Sequence, residues 1–186
     1  LECKGGQDWS SPPSDADIGL DSVASLPEIT DVGGTTLSTD AAGVWQSEQA
    51  WFDVPLSLGS GGGVSALFDR PEWQRAVLPN QDQGRRLTPD VAAVADQFTG
   101  VKIVFNGKQL VGGGTSQAAP IWAGLAAVIN QLLVSQGLRP LGDFNPLLYQ
   151  VAKGAAVPGF RDIELGGNAI SPGVLGYDMV TGLGSP

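Results

Sequence analysis

The stretch Gly112-Gly-Gly-Thr-Ser-Gln-Ala-Ala-Pro120 separates a strand pattern from a long helical pattern, and it decides how this chain folds. Before it, Val101-Lys-Ile-Val-Phe-Asn-Gly-Lys-Gln-Leu-Val111 alternates like a β-hairpin, with Asn-Gly supplying the positive-φ positions of a type I′ turn. After it, apolar residues recur at helical spacing as far as Leu133, which predicts a buried helix that ends near Gly137. The pattern therefore places Ser116 at the N-terminus of a helix.

A serine at this position has two interpretations. The unpaired N–H groups and the dipole of a helix N-terminus favour a nearby anion, which is what the oxyanion of acyl transfer needs. The preceding glycines leave room for a substrate. Alternatively, Ser116 is only the helix N-cap, the commonest role of a serine before an apolar helix. A phosphate-binding loop is disfavoured because no Gly-Lys-[Ser/Thr] motif is present.

The 186-residue chain contains no histidine, which excludes a Ser-His-Asp mechanism built from this chain alone. A nucleophilic serine would need a carboxylate, a lysine or a group from another segment as its base. Lys102 and Lys108 flank the hairpin turn and could form a Ser-Lys dyad, although lysines on strands usually face solvent.

Composition excludes several classes of protein. Hydrophobic residues make up 42% and charged residues 16%, as in ordinary globular domains, and the length fits one domain. The formal net charge of -9 disfavours nucleic acid and anionic lipid as partners. No run of eighteen apolar residues occurs, so no membrane span is predicted. The single cysteine, Cys3, excludes an internal disulfide framework, and no signal peptide is visible at the start.

Other patterns predict the remaining elements. Residues 1–25 are an irregular N-terminal segment, and a strand is expected over residues 29–37. Ser60-Gly-Gly-Gly-Val-Ser65 is either a site of close backbone approach to a ligand or a flexible linker. Pro71 begins a short helix, and Asn145 is the expected N-cap of another.

Three tryptophans are candidate residues of a substrate groove, although burial in the core is the safer interpretation of large aromatic side chains. They are Trp45, Trp51 and Trp73.

Several motifs together resemble one family. Gly113–Pro120 is preceded by Leu87-Thr-Pro-Asp-Val-Ala-Ala-Val-Ala-Asp96, Ser60–Ser65 and Val32-Gly-Gly-Thr-Thr, and it is followed by Gly176-Tyr-Asp-Met-Val-Thr-Gly-Leu-Gly-Ser-Pro186. In order and approximate spacing, over about residues 20 to 186, these motifs resemble the sedolisin (serine-carboxyl peptidase) family. The related subtilisins share the Gly-Thr-Ser-x-x-x-Pro element but use a histidine, which this chain lacks.

The resemblance implies a subtilisin-like α/β fold with a largely parallel sheet and flanking helices. Residues 1–186 would be the C-terminal portion of one catalytic domain, and Ser116 the nucleophile that forms an acyl-enzyme with peptide or protein substrates at acidic pH. A glutamate base and its orienting aspartate would lie upstream, in the N-terminal part of the same domain. That part and a propeptide would be its partners, and the protein would be secreted. Asp8 is the one candidate for the family's oxyanion aspartate, but its neighbours do not match and a solvated loop residue is the alternative.

The resemblance also implies one calcium ion bound within residues 160–186. Side-chain oxygens would come from Asp162 and Asp178, and backbone carbonyls from Ile163, Val174 and Gly176. Val174 replaces a more usual glycine, a change that a carbonyl ligand tolerates. Ordinary acidic turns are the alternative. For the whole chain, the alternatives to an active peptidase are a catalytically incompetent piece of such an enzyme and an extracellular calcium-stabilised binding module.

Overall fold

A computed structural model of the chain describes residues 20–56, 58–78, 84–154 and 159–186. The elements follow in the order β1 (Val32–Thr39), β2 (Trp45–Ala50), β3 (Phe52–Asp53), β4 (Leu58–Gly59), β5 (Gly63–Asp69), α1 (Glu72–Arg75), β6 (Arg85–Thr88), β7 (Val91–Val94), β8 (Lys102–Phe105), β9 (Lys108–Val111), α2 (Thr115–Ser135) and α3 (Phe144–Gly154). The strand predicted over residues 29–37 thus begins at Val32 and extends to Thr39.

The central sheet has the strand order β2-β1-β7. Strands β1 and β7 are parallel, with Val32 opposite Val91 and Thr35 opposite Val94, whereas β2 runs antiparallel to β1. Strands β3–β4, β5–β6 and β8–β9 form separate antiparallel pairs. The α/β character is therefore confirmed, but a largely parallel sheet is not formed among the strands that the structure describes: only β1 and β7 pair in parallel.

Helices α2 and α3 contribute aromatic side chains to the core. Trp122 of α2 is buried, and its Nε1 donates to the carbonyl of Ala92, 2.8 Å away, in β7. Tyr149 of α3 is fully buried, and its ring packs against Trp73 of α1 with 4.7 Å between centroids. The core therefore lies between β1, β7 and these helices.

The prediction that α2 is a buried helix is wrong. Its buried residues are Ala118 and Trp122 alone, while Val128 is 63% and Leu132 56% exposed. Helical periodicity shows that apolar residues share a face, not that another element covers that face. With a mean hydropathy of 1.5, α2 is long and apolar enough to cross a membrane by length and composition, although polar residues interrupt every long apolar run. Helices that pack on a sheet have the same composition, and α2 contacts β1 and β7.

The predicted turns are confirmed where a positive φ was required. Asn106 and Gly107 have φ angles of 50° and 71° between β8 and β9, and Gly137 has 74° just beyond the end of α2. The N-cap prediction for Asn145 is wrong, because this residue is buried within α3. Its amide nitrogen donates to the carbonyls of Pro27 and Ile29, which ties α3 to the segment before β1.

The interpretation of Ser60–Ser65 as a flexible linker is also wrong. The Ser60 hydroxyl accepts from the backbone N–H of Gly34 at 2.8 Å and donates to the carbonyl of Val180 at 2.6 Å. A Cβ added at Gly62 would overlap the carbonyl oxygen of Met179. Gly62 therefore permits close approach, but to the protein's own backbone.

Candidate active site

Ser116 is the second residue of α2, and its side chain is exposed. The N-cap is Gly114, with φ 88° and ψ 159°, a backbone conformation that residues with a Cβ rarely adopt. The interpretation of Ser116 as the N-cap is therefore wrong, and its hydroxyl is not used to cap the helix. The residue lies where the first N–H groups of α2 are not paired within the helix.

The turn before Ser116 is held from two sides. The N–H of Gly112 donates to the carbonyl of Val101, the residue before β8, at 2.9 Å. The N–H of Gly114 donates to the carbonyl of Ala95, the residue after β7, at 2.5 Å. Gly113 lies so close to Gln97 that an added Cβ would be 2.6 Å from its Cα. The glycines thus fix Ser116 against the carboxyl end of β7.

A cavity of ≈ 250 Å³ opens beside this serine, and we call it the Ser116 cavity. Its lining residues carry no ionisable side chain; they are Trp51, Leu58, Gly59, Gln97, Gly113, Gly114, Thr115 and Ser116. Leu58, Gly59 and Gln97 escaped the sequence reasoning because only folding brings them to Ser116.

The three candidate groove tryptophans have different surroundings. Only Trp51 lines the Ser116 cavity; it is 5% exposed, and its Nε1 donates to Asp53 at 2.9 Å. Trp45 lies under the guanidinium of Arg161 at 3.9 Å, and Trp73 packs on α3. The groove interpretation therefore retains a single tryptophan.

No candidate base faces Ser116 within the described part of the chain. Lys102 and Lys108 lie on exposed strands, and neither lines the Ser116 cavity. Asp96 is next to the lining residue Gln97, but its carboxylate accepts from the Thr36 hydroxyl (2.9 Å) and the Phe98 N–H (2.7 Å). Asp8 lies outside the described residues.

The predicted calcium ligands come from two loops that contact each other. The carboxylate of Asp162 accepts from the N–H of Gly176 at 2.6 Å, and the carboxylate of Asp178 accepts from the N–H of Val174 at 3.2 Å. Ile163 is buried, and its carbonyl lies 2.8 Å from the position of a Cβ added at Gly173. The structure thus brings the five residues into one region.

Asp178 is 5% exposed and holds the C-terminal turn. Its carboxylate accepts from the N–H groups of Val180 (2.8 Å) and Thr181 (2.7 Å), while burial raises its pKa against these hydrogen bonds. Among the residues with described positions, no three Asp, Glu, His or Cys side chains converge as a metal group. An ion here would need backbone carbonyls beside the two carboxylates, which calcium accepts.

Comparisons with known proteins give one consistent group of relatives. No family model matches the chain. Kumamolisin of Bacillus sp. (strain MN-32) is 39% identical over 90% of this chain and 31% of its own length. Sedolisin of Pseudomonas sp. (strain 101) is 36% identical over 88% of this chain and 27% of its own length. Tripeptidyl-peptidase 1 of Dictyostelium discoideum is 36% identical over 68% of this chain and 24% of its own length.

A solved structure supports the same relation. Pseudomonas sedolisin, a serine-carboxyl proteinase complexed with two molecules of pseudo-iodotyrostatin, matches with a TM-score of 0.74 and 34% identity, over 87% of this chain and 44% of that one. The fold is therefore that of an α/β peptidase. The chain belongs to the sedolisin family, and it spans about a quarter to a third of the length of these three curated relatives.

Proposed function

We propose that Ser116 is the nucleophile of an acid-acting serine-carboxyl peptidase. The observation that carries this proposal is its position: an exposed hydroxyl in the first turn of α2, capped by a glycine and bordering a cavity. The relatives named above are peptidases, which supports peptide-bond hydrolysis as the reaction class. The intact protein is proposed to be an endopeptidase or a tripeptidyl peptidase.

In the proposed reaction, the Oγ of Ser116 attacks the carbonyl carbon of the scissile peptide bond while a carboxylate base accepts its proton. Free N–H groups at the start of α2 favour the negative charge on the tetrahedral intermediate. The proton then passes to the leaving amine, the C–N bond breaks, and water hydrolyses the acyl-enzyme. A carboxylate suits this role at acidic pH, where a histidine would be held protonated.

The base is proposed to be a glutamate, oriented by an aspartate, in the N-terminal part of the same catalytic domain. The lining residues of the Ser116 cavity include no ionisable side chain, which supports a base supplied by another part of the domain. The exposed apolar residues Val128 and Leu132 on α2 further support a partner that covers them. A propeptide is the second proposed partner. The 186 residues alone are then expected to be inactive.

One calcium ion is proposed to join the two C-terminal loops through Asp162, Asp178 and the carbonyls of Ile163, Val174 and Gly176. The hydrogen bond from the N–H of Gly176 to Asp162 supports the proposal because it already joins the two loops, while the hydrogen bond from the N–H of Val174 to Asp178 orders the second loop. When bound, the ion would supply structural cross-linking rather than chemistry. Secretion belongs to the same proposal, as the resemblance to the sedolisin family implies.

The test uses the intact protein that carries this chain. Ser116→Ala should lower hydrolysis of a denatured protein substrate at pH 3 to 5 by about 10⁶-fold, the loss typical of a missing serine nucleophile. Ser135→Ala is the matched control, because Ser135 lies at the other end of α2 and its hydroxyl donates to the Leu132 carbonyl of the same helix (2.7 Å). Circular dichroism should show that both variants fold.

Two outcomes decide against the proposal. Wild-type activity in Ser116→Ala would refute Ser116 as the nucleophile. Hydrolysis by the 186 residues alone, if Ser116→Ala abolishes it, would refute the proposal that the base lies in another part of the domain. The second candidate function is a binding module without catalysis. It is favoured because none of the residues that line the Ser116 cavity could act as a base. It predicts peptide binding by the intact protein with no cleavage, and binding that survives Ser116→Ala.

A further inference from the structure

Gln117 directly follows the proposed nucleophile, and its side chain extends back toward the glycine turn before α2. Its Nε2 donates to the carbonyl of Val94, the last residue of β7, in a long hydrogen bond of 3.5 Å. Its Oε1 lies against Gly112, the residue after β9, where an added Cβ would overlap this oxygen. The amide therefore occupies the space between the end of β7 and the start of the glycine turn.

The orientation of this amide follows from its neighbours. If the amide were reversed, its oxygen would face the Val94 carbonyl, and two acceptors would oppose each other. In the orientation observed, the Gln117 Oε1 is buried, and no donor within the described part of the chain reaches it. A buried acceptor without a donor is destabilising, so stability alone does not account for a glutamine at this position.

The glycine turn that this amide contacts determines where Ser116 lies. Residues 112–114 join the hairpin to α2, and the N–H groups at the two ends of the turn already donate to the carbonyls of Val101 and Ala95. The Gln117 amide adds a third contact to the turn, from the side of the helix. A shift of the turn would move the Ser116 Oγ, and displacing a reacting group by about 1 Å can cost about 10²-fold in rate.

We infer that Gln117 is a positioning residue for the proposed nucleophile: its side-chain amide holds the glycine turn against the end of β7 and thereby orients Ser116. This inference rests on the proposed function, since it concerns the same serine. Gln117 is not among the residues that line the Ser116 cavity, so it acts through the turn and not on a bound substrate. Its removal should therefore lower kcat more than it changes KM.

The test measures kcat and KM of the intact protein for one peptide substrate at pH 3. Gln117→Ala should lower kcat by about 10- to 100-fold while KM stays within about threefold of the wild type, because the serine is displaced and the cavity is unchanged. If this variant does not fold, Gln117→Met takes its place. It keeps the length of the side chain without the amide donor, and the same loss is expected.

Gln117→Glu is the conservative variant. At pH 3 its carboxyl is protonated, has nearly the shape of the amide and can donate its O–H to the Val94 carbonyl, so kcat should stay within about threefold of the wild type. As the pH rises and the carboxyl ionises, this donor is lost, and kcat should fall relative to the wild type at the same pH. A side chain that served only stability would not link kcat to protonation in a protein that circular dichroism shows to be folded.

Gln136→Ala is the matched control, because Gln136 is an exposed glutamine at the other end of α2 and should keep the wild-type kcat and KM. The inference is overturned if the variant without the amide keeps the wild-type kcat, or if Gln117→Glu loses as much kcat at pH 3 as that variant does. If Ser116→Ala is inactive while Gln117→Ala has the wild-type kcat, only the positioning role is refuted. Full activity in Ser116→Ala would instead refute the proposed nucleophile itself.

Discussion

The guanidinium of Arg86 and the carboxylate of Asp90 form a two-point ion pair that is wholly removed from solvent. Nη1 lies 2.7 Å from Oδ1 and Nη2 lies 2.6 Å from Oδ2. Asp90 also accepts from the hydroxyl of Tyr149 (3.0 Å) and from the N–H of Asp31 (2.9 Å). Burial alone would lower the pKa of Arg86, but the charge of Asp90 raises it above its ordinary value. This pair joins the ends of β6 and β7 to α3.

Arg86→Met should therefore lower the free energy of unfolding by about 3–5 kcal/mol, because it leaves Asp90 buried without its counterion. Arg85→Met is the control: Arg85 pairs with Asp69 at 3.0 Å on the surface and should contribute at most about 1 kcal/mol. Urea unfolding of the two variants measures the difference. Equal stability of both variants would show that the buried pair contributes no more than the exposed one.

Asp31 predicts how stability depends on pH. Burial and the nearby charge of Asp90 raise the pKa of Asp31 from 3.8 to about 6, with Arg86 acting in the opposite direction. Between these values the folded protein keeps a proton that the unfolded chain releases. The contribution of Asp31 to the free energy of unfolding should then be greatest below about pH 4 and fall as the pH rises to 6, by at most about 3 kcal/mol.

Asp31→Asn should flatten this part of the pH profile, since the amide does not titrate. Glu28→Gln is the matched control, because Glu28 lies three residues away on the surface and its removal should leave the slope in place. Thermal unfolding at pH 4, 5, 6 and 7 supplies the comparison. A wild-type slope retained in Asp31→Asn would assign the pH dependence to another group.

The features that could be predicted from the sequence are those with a local cause. Asn106-Gly107 requires positive φ at a two-residue turn, and Gly137 requires it at a helix end, so neighbouring residues suffice to identify them. The local pattern likewise predicts Ser116 at the start of a helix. The capping role, however, belongs to Gly114, since its φ of 88° suits glycine and α2 begins at the next residue.

Features with a distant cause could not be predicted. Asp90 and Tyr149 are separated by 59 residues, so no local pattern joins the hydroxyl to the ion pair. The Ser116 cavity combines Trp51 and Leu58 with residues some forty to sixty positions later in the chain. The prediction that α2 is buried fails at Val128 for a related reason. Periodicity defines an apolar face, whereas the burial of that face depends on what packs against it.

Gly62 tests whether close backbone approach in Ser60–Ser65 is required for the fold. Any Cβ there would overlap Met179 and lie 2.6 Å from the carbonyl of Thr88, so Gly62→Ala should be destabilising by about 1–3 kcal/mol. Gly124→Ala is the opposite case, because nothing lies within 4 Å and alanine favours the helix by about 0.5–1 kcal/mol. The variants should therefore move the melting temperature in opposite directions; a stabilised Gly62→Ala would show that the loop can open at little cost.

Calcium is predicted to stabilise the protein through Asp162. At a concentration of one hundred times Kd, a ligand that binds only the folded state adds about 2.7 kcal/mol, which corresponds to a rise of several degrees in Tm. Asp162→Asn should remove most of this rise by deleting one ligand charge, although its amide oxygen can still accept from the N–H of Gly176. Glu164→Gln, an exposed neighbour that is not a proposed ligand, should keep the full calcium effect.

The calcium effect should also weaken in acid. Burial raises the pKa of Asp178, so this carboxyl takes up a proton at a higher pH than an exposed aspartate, and a protonated carboxyl is a poor ligand for calcium. Titration calorimetry at pH 6 and pH 4 should therefore give a lower affinity at pH 4. Equal affinity at both pH values would remove Asp178 from the ligand set, and an unchanged calcium response in Asp162→Asn would remove Asp162.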